Sequence, residues 1–210
     1  MRAVVPRGPV PVAAVEDLWD VRPDDLAAAG AACRRLPDRQ PLSPALVTDL
    51  TSRARTARDW RGDVQEEDGH GSPSPRALLT ASHARALRRI VEVHGWPGFR
   101  LVGVEGSLAA LEIALLCGDG PFLRRLLRGI EVALREQDAV PVFGALLHDR
   151  ACVLDGQHQW YGSQQWAGAE PGVLWTVEAP DLLAERRAGV GFASLEGAVF
   201  HDAAVRTAVA

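Results

Sequence analysis

The sequence predicts a mainly α fold: a helical bundle-like domain carrying one small β-hairpin. Three observations carry that expectation. Leu123, Leu126, Leu127, Ile130 and Leu134 recur along one stripe of the stretch from Pro121 to Glu136, which is the period of an amphipathic helix. Ser43-Pro44 and Ser74-Pro75 each put a capping hydroxyl before a proline at the first helical position, where its missing N–H costs nothing. Asp155-Gly156 lies between two short runs, 150–154 and 157–161, and Asp-Gly readily takes the positive φ angles of a type I′ hairpin turn.

In chain order, residues 1–20 are a Pro-rich arm, an edge strand or a loose extension. Helices are predicted over Asp24–Leu36, Ser43–Trp60, Ser74–His94, Gly106–Leu116 and Pro121–Glu136. The hairpin follows at Arg150–Tyr161, and short helices over Pro180–Ala188 and Phe192–Phe200 close the chain. The polar loop VQEEDGHGSPSP divides the sequence. Residues 1–62 read as an N-terminal extension with two helices, 63–76 as a linker, and 77–210 as a helical domain with the hairpin.

Composition narrows the function. The chain has 210 residues, 47% of them hydrophobic, enough for one sizeable core. No apolar run approaches the roughly 20 residues needed to span a bilayer. Three prolines and an arginine interrupt the first apolar stretch, so no signal peptide is expected and a soluble, cytoplasmic protein is. All 23 basic residues are arginine. Without lysine there is no Schiff base and no Walker A loop; the bias fits a high-GC bacterial gene. The net charge of −4 and arginines interleaved with apolar residues argue against nucleic acid as a partner. Three widely spaced cysteines give neither a disulfide framework nor a zinc ribbon. His83 and His94 share a helix face, but eleven residues separate them by about 16 Å, too far to share an ion. No metal and no cofactor are expected.

Two constellations are candidates for chemistry. His94-Gly95-Trp96-Pro97 ends a helix, where a His favours the dipole and Gly takes the left-handed cap. The functional alternative holds His94 inward with its apolar stripe, tuned as an acid or base. The second is the predicted hairpin. Its register puts Arg150, Cys152, Gln159 and Tyr161 on one face, which suits a polar pocket with Arg150 as an anion clamp; an ordinary solvent-facing ribbon is the alternative. Cys117-Gly118-Asp119 contains a possible nucleophile, although a buried helical cysteine is ordinarily packing.

These motifs form a series. His94-Gly95-Trp96-Pro97, Asp149-Arg150, Gln159-Trp160-Tyr161-Gly162-Ser163-Gln164, Glu178 and Arg186-Arg187 with Gly191 follow one another between about Leu78 and Phe200. In order and spacing the stretch resembles a domain-of-unknown-function family of actinobacterial proteins marked by HGWP, Asp-Arg and Gln-x-Tyr-Gly-Thr-Gln. The resemblance brings no activity with it. It implies that the polar motif residues form a site: His94, Tyr161 and Asp149 as catalytic groups, and Trp96, Arg150, Gln159, Gln164 and Arg186 as substrate-binding groups. The chain departs from the family pattern where relatives often have Gln-His, carrying Cys117-Gly118, and has Ser163 for the usual Thr. If the missing His is catalytic in relatives, this chain has a lost or altered activity. Residues 1–60 match the family weakly or not at all.

Two functions follow as expectations. One is a cofactor-independent enzyme acting on a small polar or anionic molecule or peptide by hydrolysis, cyclisation or isomerisation, in bacterial specialised metabolism. The other is a non-catalytic ligand- or peptide-binding accessory protein with a degenerate site. Neither involves nucleic acid or a membrane, and the sequence leaves the oligomeric state open.

Overall fold

In a computed structural model, residues 19–37, 40–59, 75–166, 173–195 and 199–200 are described. The fold is mainly α with a small sheet. Strand β1 (Trp19–Val21) leads into helix α1 (Pro23–Cys33). Then come α2 (Pro44–Asp59), α3 (Pro75–His94), α4 (Phe99–Leu115), α5 (Gly120–Arg135) and α6 (Pro141–Leu154). Strands β2 (Gln164–Trp166) and β3 (Val173–Leu174) precede a short 3-10 turn at Pro180–Leu182, helix α7 (Leu183–Val190) and β4 (Val199–Phe200). Among the described residues no helix is long and apolar enough to cross a membrane.

The helices start where the sequence puts them. Proline occupies the first turn of α1, α5 and α6 and opens α2 and α3. Asp119 caps α5, its carboxylate accepting from Phe122 N at 2.9 Å, which satisfies one of the orphan amides of a first turn. Leu123, Leu126 and Ile130 of the predicted stripe are fully buried.

One core runs through the molecule. It joins Ala29 and Cys33 of α1, Leu50 of α2, Leu87 of α3, Leu111 of α4, Leu126 of α5 and Leu147 of α6. The two N-terminal helices therefore belong to the same packed unit as the rest. Helix α6 is its hub, touching α1, α4, α5, α7, β1 and β2. The sheet runs β1-β2-β3-β4, antiparallel for the first two pairings and parallel for the last. Val21 faces Gln164, so β1 closes the edge of the sheet beside the Ser163–Gln164 stretch.

The hairpin predicted at 150–161 does not form. Residues 150–154 are the last turn of α6. Asp155-Gly156 is a helix stop: Gly156 has φ +65°, its N–H donates to Val153 O at 3.0 Å, and Gln157 N donates to Cys152 O at 2.7 Å. That is the Schellman pattern. A hairpin turn and a Schellman cap both want a glycine at positive φ, so the dipeptide alone does not separate them. The closing helix predicted at Phe192–Phe200 is also absent. Gly191, at φ +88°, ends α7 the same way, with Phe192 N donating to Arg187 O at 2.9 Å, and residues 199–200 are strand. Most of the predicted arm (1–18) and of the predicted linker (63–74) lies outside the described residues.

Candidate functional site

The C-terminal end of α6 and the loop that follows it hold most of the motif residues. Asp149 is fully buried. Its Oδ1 accepts from Trp160 N at 2.8 Å, both oxygens accept from Tyr161 N at 3.1 Å, and Oδ2 accepts from Ser163 N at 2.9 Å. A loop folded back over a helix end would otherwise bury those three amides without acceptors, a cost the fold avoids with one carboxylate. Asp149 thus fixes the course of residues 160–163.

Gln159, equally buried, does a strand's work with its side chain. The backbone bridges in parallel to Val177, and Gln159 N donates to Thr176 O at 2.9 Å. Its Nε2 donates to Gln164 O at 3.1 Å and Trp175 O at 2.8 Å, while Oε1 accepts from Gln164 N at 2.9 Å. Gln164 is also buried, its Nε2 donating to Ser163 Oγ at 3.4 Å.

Arg187, only 1% exposed, ties this loop to the two ends of the described chain. It pairs with Asp25 of α1 through two hydrogen bonds, at 2.6 and 3.2 Å. It also donates to Tyr161 O and Ala193 O, each at 2.6 Å, and its guanidinium stacks 4.8 Å from the Phe192 ring centroid. Burial pushes the Asp25 carboxyl above its usual range despite this cation, as expected when desolvation outweighs pairing.

Outside this braced interior lies a half-exposed cluster. His148 is centred 5.1 Å from the Trp160 ring and 6.1 Å from the Tyr161 ring. Its Nδ1 is 3.7 Å from Asp149 Oδ1 and 3.7 Å from Cys152 Sγ, one turn along α6. The Asp149 carboxylate first, and the Cys152 sulfur second, raise the His148 pKa to about 9 against the opposing effect of burial. The imidazole is therefore a cation at neutral pH. Trp160 is 46% exposed, and the Arg186 guanidinium lies 5.9 Å from its ring centroid. Arg186 is held there by donating to the carbonyls of Glu178 and Ala179. Tyr161 is half-buried, and burial raises its phenol pKa.

The predicted site residues divide accordingly. Asp149, Gln159, Tyr161, Gln164 and Arg186 come together around the 157–164 loop. Arg150 is buried on α6, and the single face it was expected to share with Cys152, Gln159 and Tyr161 is gone with the hairpin. His94 does not turn inward: it is exposed at the end of α3. Gly95, at φ +74°, swings the chain so that Trp96 takes the interior place, edge-on to Phe143 at 6.1 Å. Trp96 is thus a core residue. Phe143 and Asp149 are six residues apart on α6, about 9 Å along the axis, so the HGWP motif packs near the opposite end of that helix. Cys117 is packing, 1% exposed, with its thiol on Ile113 O at 3.4 Å.

Sequence reasoning missed His148, Cys152 as its partner, Trp160 and the Asp25–Arg187 pair. The signal for the first two was their i, i+4 spacing, which places side chains together only on a helix. Among the described residues no group of three or more His, Cys, Asp or Glu side chains is arranged to hold a metal ion. Compared with family models, curated proteins and solved structures, the chain matches none.

Proposed function

We propose that this chain is a non-catalytic binding protein that takes a small anionic molecule on the surface formed by Trp160, His148 and Arg186. The observation that carries this reading is where the polar motif residues spend their hydrogen bonds. Asp149 occupies the amides of Trp160, Tyr161 and Ser163. Those are the donors that an oxyanion hole on this loop would need. Gln159 is committed to backbone groups. What the braced loop presents outward is an indole flanked by an imidazolium and a guanidinium, which favours an anion with an apolar body.

The competing reading, a cofactor-independent enzyme on a similar substrate, has less support. His148 faces both Asp149 and Cys152 with one nitrogen, whereas a base relay places the orienting acid and the nucleophile on opposite nitrogens. The resemblance to the actinobacterial family and the arginine-only composition support a bacterial, cytoplasmic setting, and an accessory role in specialised metabolism belongs to the same proposal.

Calorimetric titration with a panel of small carboxylates and phosphates, run beside turnover assays on the same compounds, tests it. Saturable binding without turnover is expected, weakened by salt and lost in Trp160→Ala with the melting temperature unchanged. Turnover of any panel member would overturn the reading, as would binding of acidic peptides alone.

A further inference from the structure

We propose that Cys152 and His148 form a thiol-exchange site at which Cys152 is reversibly joined to a low-molecular-weight disulfide. The inference shares His148 with the anion-binding reading but turns on the sulfur of Cys152, so Cys152→Ser tests it without touching the Trp160, His148 and Arg186 surface.

Three cysteines are present and all are free thiols, but their surroundings differ. Cys33 and Cys117 are each 1% exposed, and burial pushes the Cys33 thiol up to about 11. A thiol in that setting is neither ionised nor reachable. Cys152 is half-buried at the last turn of α6, with its sulfur 3.7 Å from His148 Nδ1. The imidazole stands one helical turn away on a rigid helix, and its position is fixed by the Asp149 carboxylate at 3.7 Å and by the Trp160 and Tyr161 rings. Among the described residues, Asp149 and Cys152 of the same helix act on its charge, and the Tyr161 ring stands edge-on to it at 6.1 Å. Asp149 is the acid that raises the imidazole's proton affinity, and the ring stands close enough to the sulfur to exchange a proton with it.

The disulfide is itself the oxidant, and no other is needed. The Cys152 thiolate attacks one sulfur of R–S–S–R. A Cys152–S–S–R bond forms as the original S–S bond breaks. The expelled R–S⁻ takes the proton from the His148 imidazolium, which solvent then restores. The Cys152 sulfur is oxidised to the disulfide level and the expelled R–S sulfur is reduced to a thiol, so the two electrons pass from Cys152 to the disulfide. A second thiol reverses the step.

The test uses the full chain and the neutral disulfide of mercaptoethanol, so that attraction of an anion to His148 or Arg186 plays no part. Adduct formation is followed by intact mass under native conditions. One adduct per chain is expected, lost in Cys152→Ser and retained in Cys33→Ser and Cys117→Ser. His148→Gln removes the cation. Without that proton partner beside the sulfur, adduct formation should slow several-fold and lose the part of its pH dependence that the imidazole contributes. Circular dichroism confirms that each variant is folded. Modification at Cys33 or Cys117, adduct formation that survives Cys152→Ser, no adduct short of denaturation, or a His148→Gln rate and pH profile equal to the parent's would each overturn the proposal.

Discussion

At the scale of single residues, the site turns on how one carboxylate is spent. Asp149, itself fully buried, accepts from three amides of the 160–163 loop. Removing it leaves three donors unsatisfied, the buried Ser163 amide and the part-buried Trp160 and Tyr161 amides, at about 1–3 kcal/mol for the buried one and less for the others. Asp149→Ala should therefore cost about 3–5 kcal/mol in urea unfolding, and Asp149→Asn, which keeps one acceptor oxygen, should fall between it and the parent. A loss under about 1 kcal/mol for the alanine variant would show that the loop is held by something else. The Asp-Arg and Gln-x-Tyr-Gly-Ser-Gln motifs were visible in the sequence as polar residues in series. That Asp149 and Gln159 bond to backbone groups was invisible, because the same side chains can serve either a loop or a ligand. His94 illustrates the other difficulty. Its stripe runs through His83, Leu87, Ile90 and Val91, all buried, but the helix ends at His94 and Trp96 claims the space.

At the scale of elements, helices with a polar face were legible and the one without was not. Helix α5 shows its stripe because Arg124, Arg125 and Arg128 mark the solvent side. Helix α6 buries Val142, Phe143, Leu146, Leu147, Asp149, Arg150 and Ala151 on several sides at once, so no period emerges from its sequence. Without a helix to anchor it, Asp155-Gly156 read as a hairpin turn and hid the pairing of His148 with Cys152. The cap itself is testable. An L-residue at the left-handed C′ position costs roughly 1–2 kcal/mol, and a Cβ at Gly156 meets nothing within 4 Å, so the cost is purely conformational. Gly156→Ala should lower stability by about that amount with helical content unchanged, and Gly156→Asn by less. A neutral Gly156→Ala in denaturant titration would contradict the Schellman geometry.

At the scale of the whole molecule, a salt bridge joins the first and last helices among the described residues. Asp25 and Arg187 are almost wholly buried, and such a pair gains little net stability because both charges leave water. Losing one partner is another matter. Asp25→Leu or Arg187→Leu should each cost about 3–5 kcal/mol, while the double replacement should cost less than either alone. A double-mutant cycle in denaturant checks the sign, and additive losses would show that the two groups do not depend on each other.

The same bridge has a consequence for synthesis. Its partners stand 162 residues apart. At translation rates of roughly 5–20 residues per second, α1 is synthesised some ten to thirty seconds before Arg187, the nearer of the two arginines that pair with Asp25. The early helices can meet one another in that interval, but seating α1 fully would then bury the Asp25 carboxylate with only Arg22, at 3.4 Å, beside it. Completion of the core is in this way tied to near-completion of the chain, and the last helix to be translated releases the first to dock.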